Sequence, residues 1–183
     1  NTPEFNVKTV VARLQTVATA LNNEHYDEVY VCLLGDFIES FTGLNHQSTW
    51  QELEHRGHGT NVVILAYTII RRFLTTLNNV CGVYIVSGNH DRTTKKMEGD
   101  PQGSVASLLA FMLQENTPLD VRYDSVLLGV EIDSIYYLLT HNHLGISKGD
   151  IGKAFWEYGR QGMYNVMLGG HWHARKGKRI YRI

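Results

Sequence analysis

Residues 80–91 read VCGVYIVSGNHD. Val80 to Ser87 is an almost unbroken apolar run rich in β-branched and aromatic residues, the pattern of a strand covered on both faces. It stops at Gly88-Asn89, and His90, Asp91 and Arg92 follow at once. A buried strand that delivers polar residues at its carboxyl end points to an α/β protein, where ligands sit beyond the strand ends.

The same pattern recurs on either side. Glu28–Leu34 (EVYVCLL) is a buried strand ending at Gly35-Asp36. Val121–Tyr123, Val126–Ile132 and Ile135–Thr140 are strand-like, the last two joined by a tight turn at Asp133-Ser134. Tyr164–Leu168 ends at Gly169-Gly170, and a last strand lies near Arg179–Ile183. Helical spacing marks Val7, Val10, Val11, Leu14, Val17, Ala18 and Leu21, and again Val62 through Leu77. A third helix starts at Asp100-Pro101 and runs through Leu108, Leu109, Met112 and Leu113; a fourth covers Asp150–Tyr158. Residues 41–60 read as a long loop. The order α-β-α-β-α-β-β-β-α-β-β predicts one α/β domain over residues 1–183, with helices packed on a mixed sheet.

Composition is consistent with this. The 183 residues suffice for one compact domain. Lys+Arg 17 against Asp+Glu 18 gives a net charge of −1, so no bulk basic field points to nucleic acid, although a local patch fits inside a neutral sum. No apolar run reaches the roughly 20 residues of a membrane span, and no signal peptide opens the chain. Cys32 and Cys81 sit in apolar runs and read as two buried thiols in a reducing compartment, the cytoplasm.

Four strands end in a polar cluster: Gly35-Asp36-Phe37-Ile38-Glu39, Gly88-Asn89-His90-Asp91-Arg92, Thr140-His141-Asn142-His143 and Gly170-His171-Trp172-His173. At one end of a sheet, these converge on one site. Asp36 is a carboxylate able to bridge two cations, Asn89 offers a carbonyl oxygen, and His141, His171 and His173 are neutral imidazole donors. Such mixed N/O ligation suits Mn²⁺, Fe, Zn²⁺ or Ni²⁺ better than Ca²⁺ or Mg²⁺. Two ions about 3.5–4 Å apart polarise a phosphoryl group and activate water. His90, oriented by a carboxylate such as Asp91, has the chemistry of a leaving-group acid.

In order, GD, GNHD, a later His and GHxH resemble the calcineurin-like metallophosphoesterase superfamily. The matching residues are Gly35-Asp36, Gly88 to Asp91, His141, and Gly170 to His173, about three quarters of the chain from first to last. The resemblance implies a four-layer α/β/β/α sandwich. It also implies that Asp36 bridges two divalent ions, that Asn89, His141 and His171 bind one of them, and that His173 binds the other. His90 is then the acid and Asp91 its partner. Within the superfamily the chain looks most like the SbcD-type DNA-repair nucleases, phage and mobile-element relatives included. That branch implies phosphodiester hydrolysis of DNA with Mn²⁺, and by family resemblance a homodimer and an ATPase partner. GDFIES and GNHD in place of GDxVDRG and GNHE disfavour the protein phosphatase branch. Small-molecule phosphatases and cyclic-nucleotide phosphodiesterases stay open, as does a non-catalytic scaffold.

One departure is plain. The family opens with an Asp-x-His motif on a first strand, and none precedes Asp36; His25 and Asp27 are in the wrong order and place. The expectation is a fragment lacking that strand, with a degraded first metal site as the alternative. Only ten residues follow His173, so no capping domain is expected.

Other polar residues carry weaker readings. Arg92, Lys95 and Lys96 contact the phosphates of a polyanion or form a solvated charged loop. His141 competes with His143 for the third-strand ligand; its place directly after YYLLT favours His141 and leaves His143 on the substrate side. Trp172 stacks on a base or packs beneath the site. His46, His55 and His58 lie with Trp50 in the long loop, which reads as lining the substrate groove.

Overall fold

The computed structural model describes residues 6–39, 41, 59–93, 103–142 and 151–171. Among them the elements are α1 (Val7–Asn23), β1 (Val29–Leu33), α2 (Gly59–Thr76), β2 (Val80–Val86), α3 (Val105–Asn116), β3 (Asp120–Asp124), β4 (Leu127–Ile132), β5 (Ile135–Thr140), α4 (Ile151–Tyr158) and β6 (Tyr164–Gly169). This order matches the sequence expectation as far as β6. The last expected strand, near Arg179–Ile183, lies outside the described residues, as do His46, Trp50, His55, His58 and Trp172.

The mixed sheet is in fact two sheets. One is parallel throughout, in the order β1-β2-β3. The other has the order β4-β5-β6, with β4 antiparallel and β6 parallel to β5. The chain leaves the first sheet between Asp124 and Leu127, where the Asp124 carboxylate accepts from the N–H groups of Val126 (2.8 Å) and Leu127 (3.0 Å). Parallel neighbours require a crossover, and α2 and α3 supply the two within the first sheet.

Strand alternation sorts the core. From β1 and β2, Val31, Leu33, Val83 and Ile85 pack with Leu74 of α2 and with Ala106, Ala110 and Leu113 of α3. The alternate residues Tyr30, Cys32, Tyr84 and Val86 face the second sheet, where they meet Leu128, Val130, Tyr137 and Leu139. Helices, one sheet and a second sheet are therefore three successive layers. Each fully buried Leu, Ile or Val contributes roughly 1.5–3 kcal/mol. In α4, Ala154 and Phe155 are buried while Trp156 is 80% exposed.

Two expectations need correction. The third helix starts at Val105, not at Asp100-Pro101: Ser104 is its N-cap and accepts from the Ala106 N–H at 3.1 Å. Asp100 and Pro101 themselves lie outside the described residues. The thiols are free but not both buried; Cys32 is half-buried between the sheets and Cys81, near the start of β2, is exposed. Among the described residues no helix is long and apolar enough to cross a membrane.

Candidate metal centre

The carboxyl ends of β1, β2, β5 and β6 meet, because Gly170 N–H donates to the Thr140 carbonyl (3.1 Å) and the His141 ring reaches across to the Leu34 carbonyl. Four sequence-predicted residues come together there. His141 Nε2 lies 3.1 Å from Asp36 Oδ2 and 3.1 Å from Asn89 Oδ1. The His171 ring sits edge-on to His141 with centroids 5.1 Å apart. One donor atom each from Asp36, His141 and His171 lies within 4.8 Å of the others.

Close backbone approach makes this possible. A Cβ on Gly88 would sit 2.2 Å from both the Asp36 nitrogen and Asp36 Oδ1, and one on Gly35 would sit 2.5 Å from the Gly88 nitrogen. Only glycine fits where two loops touch main chain to main chain. Asp36, Asn142 and His171 all hold positive φ, at 59°, 68° and 56°. The left-handed Asn142 is secured by its N–H, which donates to Thr140 Oγ1 at 3.0 Å.

The donor set fits a divalent transition-metal ion. His141 is buried, and its Nδ1 donates to the Leu34 carbonyl at 2.7 Å. That tautomer presents an unprotonated Nε2 to two oxygens, Asp36 Oδ2 and Asn89 Oδ1, neither of which brings a proton. Two ligands held ~2.1 Å from one ion at right angles lie about 3 Å apart, which is the spacing seen here. Without an ion, a proton fills the same role. Burial works against charge on His141, but the Asp36 hydrogen bond, the Leu34 carbonyl and the Asp36 charge outweigh it and raise its pKa. Burial likewise opposes ionisation of Asp36, and the bonds from His141 and the His90 N–H (3.0 Å) outweigh it and lower its pKa.

His90 and Asp91 do not pair as the sequence suggested. The His90 Nδ1 lies 2.8 Å from the Glu39 carbonyl oxygen and 3.6 Å from Glu39 Oε2. Asp91 is fully buried and turns the other way. Its Oδ2 accepts from the N–H groups of Asp36 (2.9 Å) and Gly88 (2.8 Å), and its Oδ1 from Phe37 (2.7 Å). Burial pushes the Asp91 carboxyl up to about 6, against these main-chain donors, which favour the charged form. Adjacent residues in a turn point in different directions, so proximity in sequence is no guide to a pair. Glu39, three residues after Asp36, is the residue that lies against the His90 Nδ1 instead.

Arg92 Nε donates to the Asn89 carbonyl at 2.5 Å, which closes the turn that carries the GNHD residues. His173, the expected ligand of the second ion, lies outside the described residues, as do Lys95, Lys96 and His143. The described residues thus bring together donors that could hold one ion.

No family model, no curated protein and no solved structure matches the chain.

Proposed function

We propose that the protein is a dinuclear-metal-dependent phosphoesterase that hydrolyses phosphodiester bonds, with DNA as the substrate, on a four-layer α/β/β/α sandwich. The observation that carries this reading is the convergence of Asp36 Oδ2, Asn89 Oδ1 and His141 Nε2, with His171 beside them, at the ends of four strands. The helix, sheet and sheet layering supports that architecture. DNA as the substrate class rests on the resemblance of the motif set.

Asp36, Asn89, His141 and His171 would hold one ion, and His173 the other, with Asp36 shared. Bound divalent ions would polarise the phosphoryl group and offset the charge that develops on its oxygens. The chain's own part is orientation and proton transfer. Leu34 fixes the His141 tautomer so that Nε2 faces the donor cluster. The Glu39 carbonyl keeps a proton on His90 Nδ1, so the proton given to the leaving oxygen is the one on Nε2.

The test is hydrolysis of end-labelled single- and double-stranded DNA by the full chain with Mn²⁺, beside His90→Ala. Cleavage by the wild type, lost by roughly 10²–10⁴-fold in a variant that retains its metal, is the expected result. A His90→Ala variant that loses its metal would sink the acid assignment. A Mn²⁺-loaded wild type that leaves DNA intact would remove DNA as the substrate.

A further inference from the structure

We propose that Asp91 is a positioning residue for Asp36: its buried carboxylate clips the loop after β1 to the loop after β2 and so aims the Asp36 side chain at His141 and Asn89. The inference rests on the reading of this cluster as a metal site.

Three main-chain N–H groups converge on the Asp91 carboxylate, two from the first loop (Asp36, Phe37) and one from the second (Gly88). Asp91 is thereby the link between strands whose ends contribute different ligands. One of the three N–H groups belongs to Asp36 itself, whose φ of 59° is a conformation that side-chain-bearing residues rarely adopt. The bond from Asp36 N–H to Asp91 fixes the main chain at that point, and the His90 N–H then holds Asp36 Oδ1. Asp36 Oδ2 is left on the His141 and Asn89 side. The clip is anchored from behind, because the Asp91 carbonyl accepts from Val105 N–H, the first residue of α3, at 2.7 Å.

Only an ionised carboxylate accepts on both oxygens without offering a donor. Asn at this position keeps the shape but turns an NH₂ group toward a main-chain N–H in a buried space, where an unmet donor is costly. Asp91→Asn therefore loosens one loop from the other without replacing a metal ligand.

The experiment is Mn²⁺ titration calorimetry without substrate on four full-length forms: wild type, Asp91→Asn, His90→Ala and the double variant. Asp91→Asn is expected to weaken Mn²⁺ binding at least about tenfold, and equally with or without His90. Unchanged Mn²⁺ affinity in Asp91→Asn would overturn the proposal. So would a loss of Mn²⁺ affinity that disappears in the His90→Ala background, which is the signature of a His90 partner. A wild type that binds no Mn²⁺ overturns the metal reading itself, and is told apart because it needs no variant.

Amide hydrogen exchange on the metal-free wild type covers the case in which Asp91→Asn fails to fold. The Asp36, Phe37 and Gly88 amides are expected to exchange about a hundredfold or more slower than free peptide. Unprotected amides at all three positions would show that the clip does not exist.

Discussion

At the carboxyl ends of β1, β5 and β6, each paired in parallel with a neighbour, Asp36, Asn142 and His171 hold positive φ; at the amino ends of β1, β2 and β5 His25, Asn79, Asp133 and Ser134 do so. Each such non-glycine residue costs about 1 kcal/mol or more. At the amino ends the geometry of connection accounts for it. Asp133 and Ser134 form the two-residue turn of the β4–β5 hairpin, where positive φ at both positions matches the strand twist. Asn79 sits just before β2 and its side chain donates to the Tyr26 carbonyl at 2.8 Å. At the carboxyl ends no tight hairpin requires the conformation. There the backbone bends to bring a carboxylate, an amide and two imidazoles together, with glycines pressed between them. Strain at one end is topological; at the other it serves the donor cluster.

The largest expected effect separates the two ends directly. Gly88→Ala places a methyl group against Asp36 and is expected to destabilise by about 3 kcal/mol and to abolish Mn²⁺ binding, measured by denaturant melts and calorimetry. Gly162, with φ of 82° but open space where a Cβ would go, pays only the backbone term, so Gly162→Ala is expected to cost about 1 kcal/mol and to leave Mn²⁺ binding intact. Equal effects at the two glycines would erase the distinction.

Ser104→Ala comes next. It removes the α3 N-cap and leaves the Ser87 hydroxyl, which donates to Ser104 Oγ at 2.8 Å, with Tyr123 alone. A loss of about 1–2 kcal/mol in chemical melts is expected. Ser134→Gly acts in the opposite direction. It relieves a positive φ that only the hairpin needs, and is expected to stabilise by about 0.5–1 kcal/mol with metal affinity unchanged.

The smallest effect is in pH. The raised pKa of His141 contributes stability that is full below about pH 6.5 and is lost as pH rises through the folded value. The lowered pKa of Asp36 contributes above about pH 4 and is lost as pH falls. The metal-free melting temperature is therefore expected to decline from about pH 6.5 upward. With Mn²⁺ it should rise over the same range, because ion and proton compete for His141 Nε2. Parallel slopes with and without Mn²⁺ would contradict that competition.

Much of the fold was legible because periodicity is local. The 3.6-residue spacing from Val7 to Leu21 and the apolar runs before Gly35 and Gly88 mark α1, β1 and β2 within one or two residues. The division into two sheets was not legible in the strand patterning, which predicts one mixed sheet; only the motif resemblance implied it. It turns on the short link from Asp124 to Leu127, and strand patterning does not say which sheet a strand joins. Asp36, Asn89 and His171 could be picked out because each follows a strand directly after a glycine, and His141 because it comes directly after YYLLT. The role of Asp91 could not, since its partners are main-chain N–H groups and leave no trace in side-chain chemistry. The exposure of Cys81 was hidden for a similar reason: an apolar run does not reveal which of its ends is uncovered.

The most direct measurement is anomalous diffraction from crystals of the full chain grown with Mn²⁺. The expected result is a manganese peak bounded by Asp36 Oδ2, Asn89 Oδ1 and His141 Nε2, with His141 Nδ1 still on the Leu34 carbonyl. A structure in which His141 bonds directly to Asp36 at saturating Mn²⁺, with no peak between them, would contradict it.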